Sequence, residues 1–293
     1  MPYLYLLSAI AFSASLSILG TCFNAKNKDK KHISNLYNLL ICCSVTLSWS
    51  IIYIFDFSFE PKVLPYSAGY GICYTLAMIG HIKALKSGSV ALTAFVKQLS
   101  LVGVSFWGFA FWDTPLTKNT VIGLIFIAIA LSLCFFTGNK KTEQNSAPAV
   151  TLKWLIYAAF LIVGNAGCSI IQKYEQMAFN FKHGSMLMVF GTLFASLTCL
   201  ILFLREDKPD WRKVLKGSWY LPTAAGVSSA ALNLFIIIMA STTLSESVIY
   251  PGIAVGGLTL TTLASVVFFK ERLKWSQWIG LGVGVIALVF LNI

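Results

Sequence analysis

The sequence predicts an all-α membrane protein with ten transmembrane helices, built as two inverted five-helix repeats. Three observations carry that prediction. Hydrophobic residues make up 57% of the 293-residue chain and charged residues 11%, against about 25% charge in a soluble domain. The apolar residues gather into ten runs of about 20, the length that crosses a hydrocarbon core of roughly 30 Å. Two stretches, 88–135 and 246–293, share one order of helix, turn and glycine-marked helix. Lipid offers the backbone no hydrogen bonds, so runs of this length close their own as helices. A barrel would need short alternating strands, and that pattern is missing from the sequence.

Taken in order, the runs are 3–23, 34–55, 64–85, 89–112, 119–137, 152–172, 184–204, 219–240, 244–269 and 275–293. The first is expected to be a transmembrane helix rather than a signal peptide, because no Lys or Arg precedes Lys26. Gly138 to Thr151, with Lys140, Lys141, Glu143, Asn145 and Pro148, reads as a linker. It divides the chain into a first repeat (1–137), the linker (138–151) and a second repeat (152–293). Arg205 to Gly217 reads as the other long polar loop.

The repeat is clearest at its ends. Ser87-Gly88-Ser89-Val90 corresponds to Ser245-Glu246-Ser247-Val248, Thr114-Pro115-Leu116-Thr117 to Glu271-Arg272-Leu273-Lys274, and Ile122-Gly123-Leu124 to Ile279-Gly280-Leu281. The small-residue helix, the Glu271-Arg272-Leu273 turn and the Trp278-Ile279-Gly280-Leu281-Gly282 start of the last helix resemble the closing helix pair of the EamA domain. That domain belongs to the drug/metabolite transporter (DMT) superfamily. The first half departs from the pattern, with Thr114 in place of the usual Glu and Phe95 to Lys97 in place of a Pro-containing region. The resemblance implies a ten-helix transporter. It implies no particular substrate, since the superfamily carries amino acids, sugars, nucleotide sugars, drugs and vitamins.

Charge placement bears on partners and on orientation. The net charge of +11 does not read as nucleic-acid binding, because Lys and Arg lie between apolar runs and form no continuous basic face. Of the 22 Lys and Arg, only Lys62, Lys118, Lys173 and Lys182 fall in even-numbered loops, and only Lys97 falls deep within a run, since Lys83 and Lys153 stand at run ends beside odd-numbered loops. The positive-inside rule then puts odd loops in the cytoplasm and both termini outside. The family resemblance implies termini inside, and a reporter fused at Ile293 reads the choice. The seven Cys lie in or beside apolar runs with no Cys-x-x-Cys spacing, so they read as small packing residues, and no metal site or cofactor is expected.

A carrier of this kind binds its solute near the midplane, between its repeats. Lys97 is the sharpest candidate: a mid-helix Lys costs about 2.5–3.5 kcal/mol to insert and lies too deep to snorkel. It suits an anionic substrate group. Its rival role is a structural bond to a carbonyl or acid within the bundle. No Asp or Glu is placed at mid-helix depth by the run boundaries above. Further candidates on helical faces are Trp49, Tyr53, Tyr74, Asn165, Asn233 and Tyr250, each weighed against interhelical hydrogen bonding or packing. His81 reads as a polar helix end. Trp112, Trp154, Trp219, Trp275 and Trp278 read as interfacial anchors. Glu246 opens a helix, where an acid complements the dipole or serves as a gate. Tyr250-Pro251-Gly252 is expected to interrupt its helix as a hinge.

The function read from these residues is secondary transport, by alternating access, of a small polar metabolite that is anionic or zwitterionic, such as an amino acid or sugar derivative. A cationic drug is disfavoured: the small DMT drug exporters use an acid in helix 1, and this helix 1 has none. The alternatives are a membrane-embedded enzyme and a non-transporting structural or regulatory membrane protein. No His-Glu-x-x-His, Gly-x-Ser-x-Gly or Walker sequence is present, so no catalytic residue is assigned. The expected setting is the cell membrane, multi-pass, with lipid and a small solute as partners. The sequence leaves a homodimer open.

Overall fold

The computed structural model describes residues 2–27, 33–87, 90–112, 117–136, 152–205, 211–269 and 275–292. Among them every regular element is helical: α1 (Pro2–Lys26), α2 (Ser34–Phe55), α3 (Leu64–Ser87) after a 3₁₀ turn at Pro61–Val63, α4 (Val90–Phe111), α5 (Lys118–Phe136), α6 (Leu152–Ala178), α7 (Gly184–Leu204), α8 (Trp211–Ser218), α9 (Tyr220–Ala240), α10 (Glu246–Phe269) and α11 (Trp275–Asn292). Five of these, α1, α2, α6, α7 and α9, are long and apolar enough to cross a membrane.

The polarity of the bundle follows from what surrounds each face. On α7, Leu197 is 50% and Leu204 71% exposed, while Thr192 on the same helix is fully buried. Apolar side chains outside and hydroxyls within is the arrangement a bilayer favours, because lipid tails solvate leucine and leave a hydroxyl unpaired. Many of these hydroxyls bond within their own helix. Ser44 donates to the Leu40 carbonyl, Thr75 to Gly71 and Thr192 to Met188, at 2.7–2.8 Å.

Helices pack as α3 on α6 and α7, α1 on α9 and α10, α2 on α7 and α9, α4 on α6 and α10, and α5 on α11. Glycines permit close crossings, as at Gly71 and Gly226. A Cβ added at Gly71 would lie 2.7 Å from both the Gly191 carbonyl oxygen and the Phe194 Cβ. One added at Gly226 would lie 2.6 Å from the Ser44 Cβ and 2.7 Å from the Ile41 oxygen. The largest core cluster, around Tyr37, Ile41, Trp49, Tyr70 and Met186, fills the space where α2, α3 and α7 meet.

Several elements differ from the sequence expectation. Helix α6 runs on to Ala178, past the expected end at 172, because Lys173, Glu175 and Gln176 are buried and do not form a loop. Within the expected polar loop 205–217, Trp211–Ser218 forms α8, which buries Val214 and Ser218. Pro251 does not interrupt α10, which stays helical from Glu246 to Phe269. A proline past the first turn removes one backbone hydrogen bond, and in a packed membrane bundle neighbouring groups let the helix continue through it. Trp154 is not a lipid-facing anchor: it is buried, and its indole N–H donates to the Thr93 hydroxyl at 3.4 Å. The linker 138–151, the repeat turns at 113–116 and 270–274, and the Glu246 side chain lie outside the described residues.

Candidate functional site

The α-helical period builds the site. On α3, Tyr70, Tyr74, Met78 and His81 recur at steps of four, four and three and so share a face. On α6, Leu161, Asn165, Cys168 and Ser169 do the same, and on α9, Ser229, Leu232, Asn233 and Ile236. These faces converge, with Ser13 and Leu16 of α1, Tyr37 and Ile41 of α2 and Lys97 of α4, around a cavity of about 90 Å³. One enclosed water takes roughly 10–15 Å³, so the cavity admits several waters or a small organic group.

Its walls are ordered by short contacts. Tyr70 and Tyr74 stack at 5.9 Å with 17° between their planes. The Tyr74 hydroxyl lies 3.3 Å from the Ser229 hydroxyl, and the Asn233 amide donates to the Ser229 carbonyl at 2.9 Å. The Cys168 thiol points to the Tyr70 carbonyl at 3.7 Å. Against this, the Lys97 ammonium is buried and has no hydrogen-bond partner among the described residues. A charge taken out of water and left unpaired costs several kcal/mol, so this ammonium is the group that a bound anion would satisfy. His81 shares the cavity wall rather than capping a polar helix end. With an ammonium, an imidazole, amides and hydroxyls on apolar walls, the cavity can hold a small solute by its anionic group and fix its orientation by hydrogen bonds.

Of the residues singled out in the sequence, Lys97, Tyr74, Asn165 and Asn233 meet at this cavity. Trp49 does not line it; it is 1% exposed inside the α2–α7 core, its indole N–H unpartnered among the described residues. Tyr53 sits at the end of α2, where its hydroxyl donates to the Ser58 carbonyl at 3.0 Å. Tyr250 is buried in a separate cluster with Leu6, Ile10 and Ile253. Gly252, beside Pro251, faces Leu6 of α1, so this segment packs on α1 and lies outside the cavity lining.

Sequence reasoning missed Glu175. It is fully buried near the end of α6, and both carboxylate oxygens lack a partner among the described residues. The signal was present: Cys168, Gln172 and Glu175 fall at i, i+4 and i+7, which continues the cavity face along α6.

No family model matches this sequence, and no curated protein matches it. Solved structures do share the fold. One, titled only "Crystal structure of protein", superposes with a TM-score of 0.69 over 99% of this chain and 95% of its own, at 16% sequence identity.

Proposed function

We propose that this protein is a secondary transporter of the EamA type in the DMT superfamily. In this reading it is a multi-pass protein of the cell membrane that moves a small anionic or zwitterionic metabolite by alternating access. The observation that carries the proposal is the buried, unpartnered Lys97 ammonium on the wall of a polar cavity. Walls drawn from both halves of the chain, α1–α4 together with α6 and α9, suit a site that changes shape when two bundles rock.

The packing scheme supports ten spans in two inverted repeats. Exchange α1, α2, α3, α4 and α5 with α6, α7, α9, α10 and α11. Then α3 on α6 becomes α9 on α1, α3 on α7 becomes α9 on α2, and α4 on α6 becomes α10 on α1, each of them a pairing that is present. The pairs α2–α7, α4–α10 and α5–α11 map onto themselves. The close approach of Gly71 to Gly191 and Phe194 has its counterpart in that of Gly226 to Ile41 and Ser44. Thr46 and Ser196, equivalent by the same exchange, touch each other at 3.0 Å, as two residues on a twofold axis must.

The test is flux. A thermal-shift screen of carboxylates, phosphates and amino acids on detergent-purified protein selects a solute, and proteoliposomes then report its uptake. Saturable uptake by the wild type and background uptake by Lys97→Ala are the expected results. Chemical turnover of the solute without flux favours the embedded-enzyme reading, and unchanged flux in the variant removes Lys97 from the site.

A further inference from the structure

A second group of unpaired polar atoms lies beyond the cavity, on α6. Gln172 and Gln176 are each 2% exposed and Glu175 is fully buried. Both amide nitrogens and both carboxylate oxygens lack partners among the described residues. Gln172 has Glu175 at i+3 and Gln176 at i+4, so it is a neighbour of each on one turn of α6, about 5–6 Å away at Cβ. Gln172 and Gln176 prolong the stripe that begins with Asn165 and Ser169 in the cavity, and Glu175 flanks it. Glu175 lies ten residues past Asn165, about 15 Å along the axis at 1.5 Å per residue. Lys173, on the same turn, holds its ammonium 5.5 Å from the centre of the Phe181 ring.

We propose that Gln172, Glu175 and Gln176 form a binding site for a small monovalent metal cation, sodium in the first instance, at the end of the polar stripe leading from the Lys97 cavity. The donor set decides the class. Hard cations take oxygen ligands, and this turn offers two carboxylate oxygens together with two amide oxygens once the amides are rotated by half a turn. Amide oxygen and nitrogen exchange places in that rotation with no change of shape. A single carboxylate balances one positive charge, whereas divalent sites gather several acids. A proton on Glu175 would neutralise the charge yet leave both amides unpaired; a coordinated cation uses all three side chains. The site stands on its own geometry. Its role as a coupling site rests on the transport reading above.

The experiment is thermal unfolding of detergent-purified protein in NaCl against choline chloride at matched ionic strength. Bound ligand in 100-fold excess over its Kd raises stability by about 2.7 kcal/mol, so the expected result is a saturable rise in Tm of several degrees with NaCl. Glu175→Gln, which keeps the shape, abolishes the rise; Gln172→Leu weakens it; Lys97→Ala keeps it. Equal Tm in the two salts overturns the proposal. So does an undiminished rise in a folded Glu175→Gln protein, or stabilisation by acid but not by sodium, which would assign a proton instead. A sodium-dependent rise without flux of any solute leaves this site standing and sinks the transport reading. Flux without the rise does the reverse.

Discussion

Helices α2 and α6 look alike in sequence, and the structure gives them opposite tasks. Each carries polar residues at three- and four-residue steps through an apolar run. On α2 most of these are paired across helix contacts. Asn35 donates to the Leu202 carbonyl at 3.3 Å, Asn38 to Met78 at 3.4 Å, Thr46 meets Ser196 at 3.0 Å, and Cys42 and Cys199 lie 3.7 Å apart. On α6 the stripe runs from Asn165 and Ser169 at the cavity to Gln172, Glu175 and Gln176, whose side chains hold unpaired atoms. The same periodicity thus makes an adhesive seam in one helix and a wettable track in the other. What differs is what the polar stripe meets: on α2 it meets carbonyls and hydroxyls of α3 and α7, whereas on α6 it begins at the cavity shared with α3, α4 and α9.

The largest expected effect tests the hollow side of that contrast. Lys97→Ala should lower affinity for an anionic solute by roughly 10- to 100-fold, the worth of a charge-assisted hydrogen bond of about 1.5–3 kcal/mol, measured by isothermal titration on the solute that the screen selects. Next comes the seam side. Gly226→Ala forces a methyl group against Ser44 and the Ile41 carbonyl and should cost about 1–3 kcal/mol of stability, read as a lower Tm and a smaller monodisperse peak. An unchanged Tm would mean α9 and α2 are not in close contact. Thr46→Val removes one interhelical hydrogen bond, worth about 0.6 kcal/mol in membrane bundles, and should leave solute affinity within twofold. Smallest of all, Trp49→Phe should not alter solute affinity, because the indole lies in the core and away from the cavity. A drop of tenfold or more there would move the binding site toward α2.

Helix positions were legible in the sequence because lipid imposes one solution on an apolar run. The expected run 34–55 is α2 and 184–204 is α7, residue for residue. Lys97 was legible for the same reason, as a cation where none should be. Glu175 was not. A run boundary drawn by hydropathy stops at the first charges, so Lys173 and Glu175 were assigned to a loop, and only packing shows that α6 continues with them buried. Helix α8 escaped for the converse reason, since eight residues with three basic side chains read as a loop until Val214 is seen buried. Trp49 and Tyr53 were attractive on α2 because periodicity reports a shared face and says nothing of what covers it.

Lys26 closes α1 by reaching across to the end of α8 and the start of α9. Its amine donates to the Gly217 carbonyl at 2.7 Å and to the Tyr220 hydroxyl at 3.1 Å. The far end of the same pair is held by Tyr5 stacked on Phe235 at 6.0 Å. Helix α1 is therefore clamped at both ends to a helix more than 190 residues away in the chain, and α3 is likewise laid along α6. The contacts that hold the bundle together therefore join helices from the two sides of residues 138–151. Cutting the polypeptide between 138 and 151 should yield two fragments that reassemble only when made together, since the main packing partners of α1–α5 lie among α6–α11.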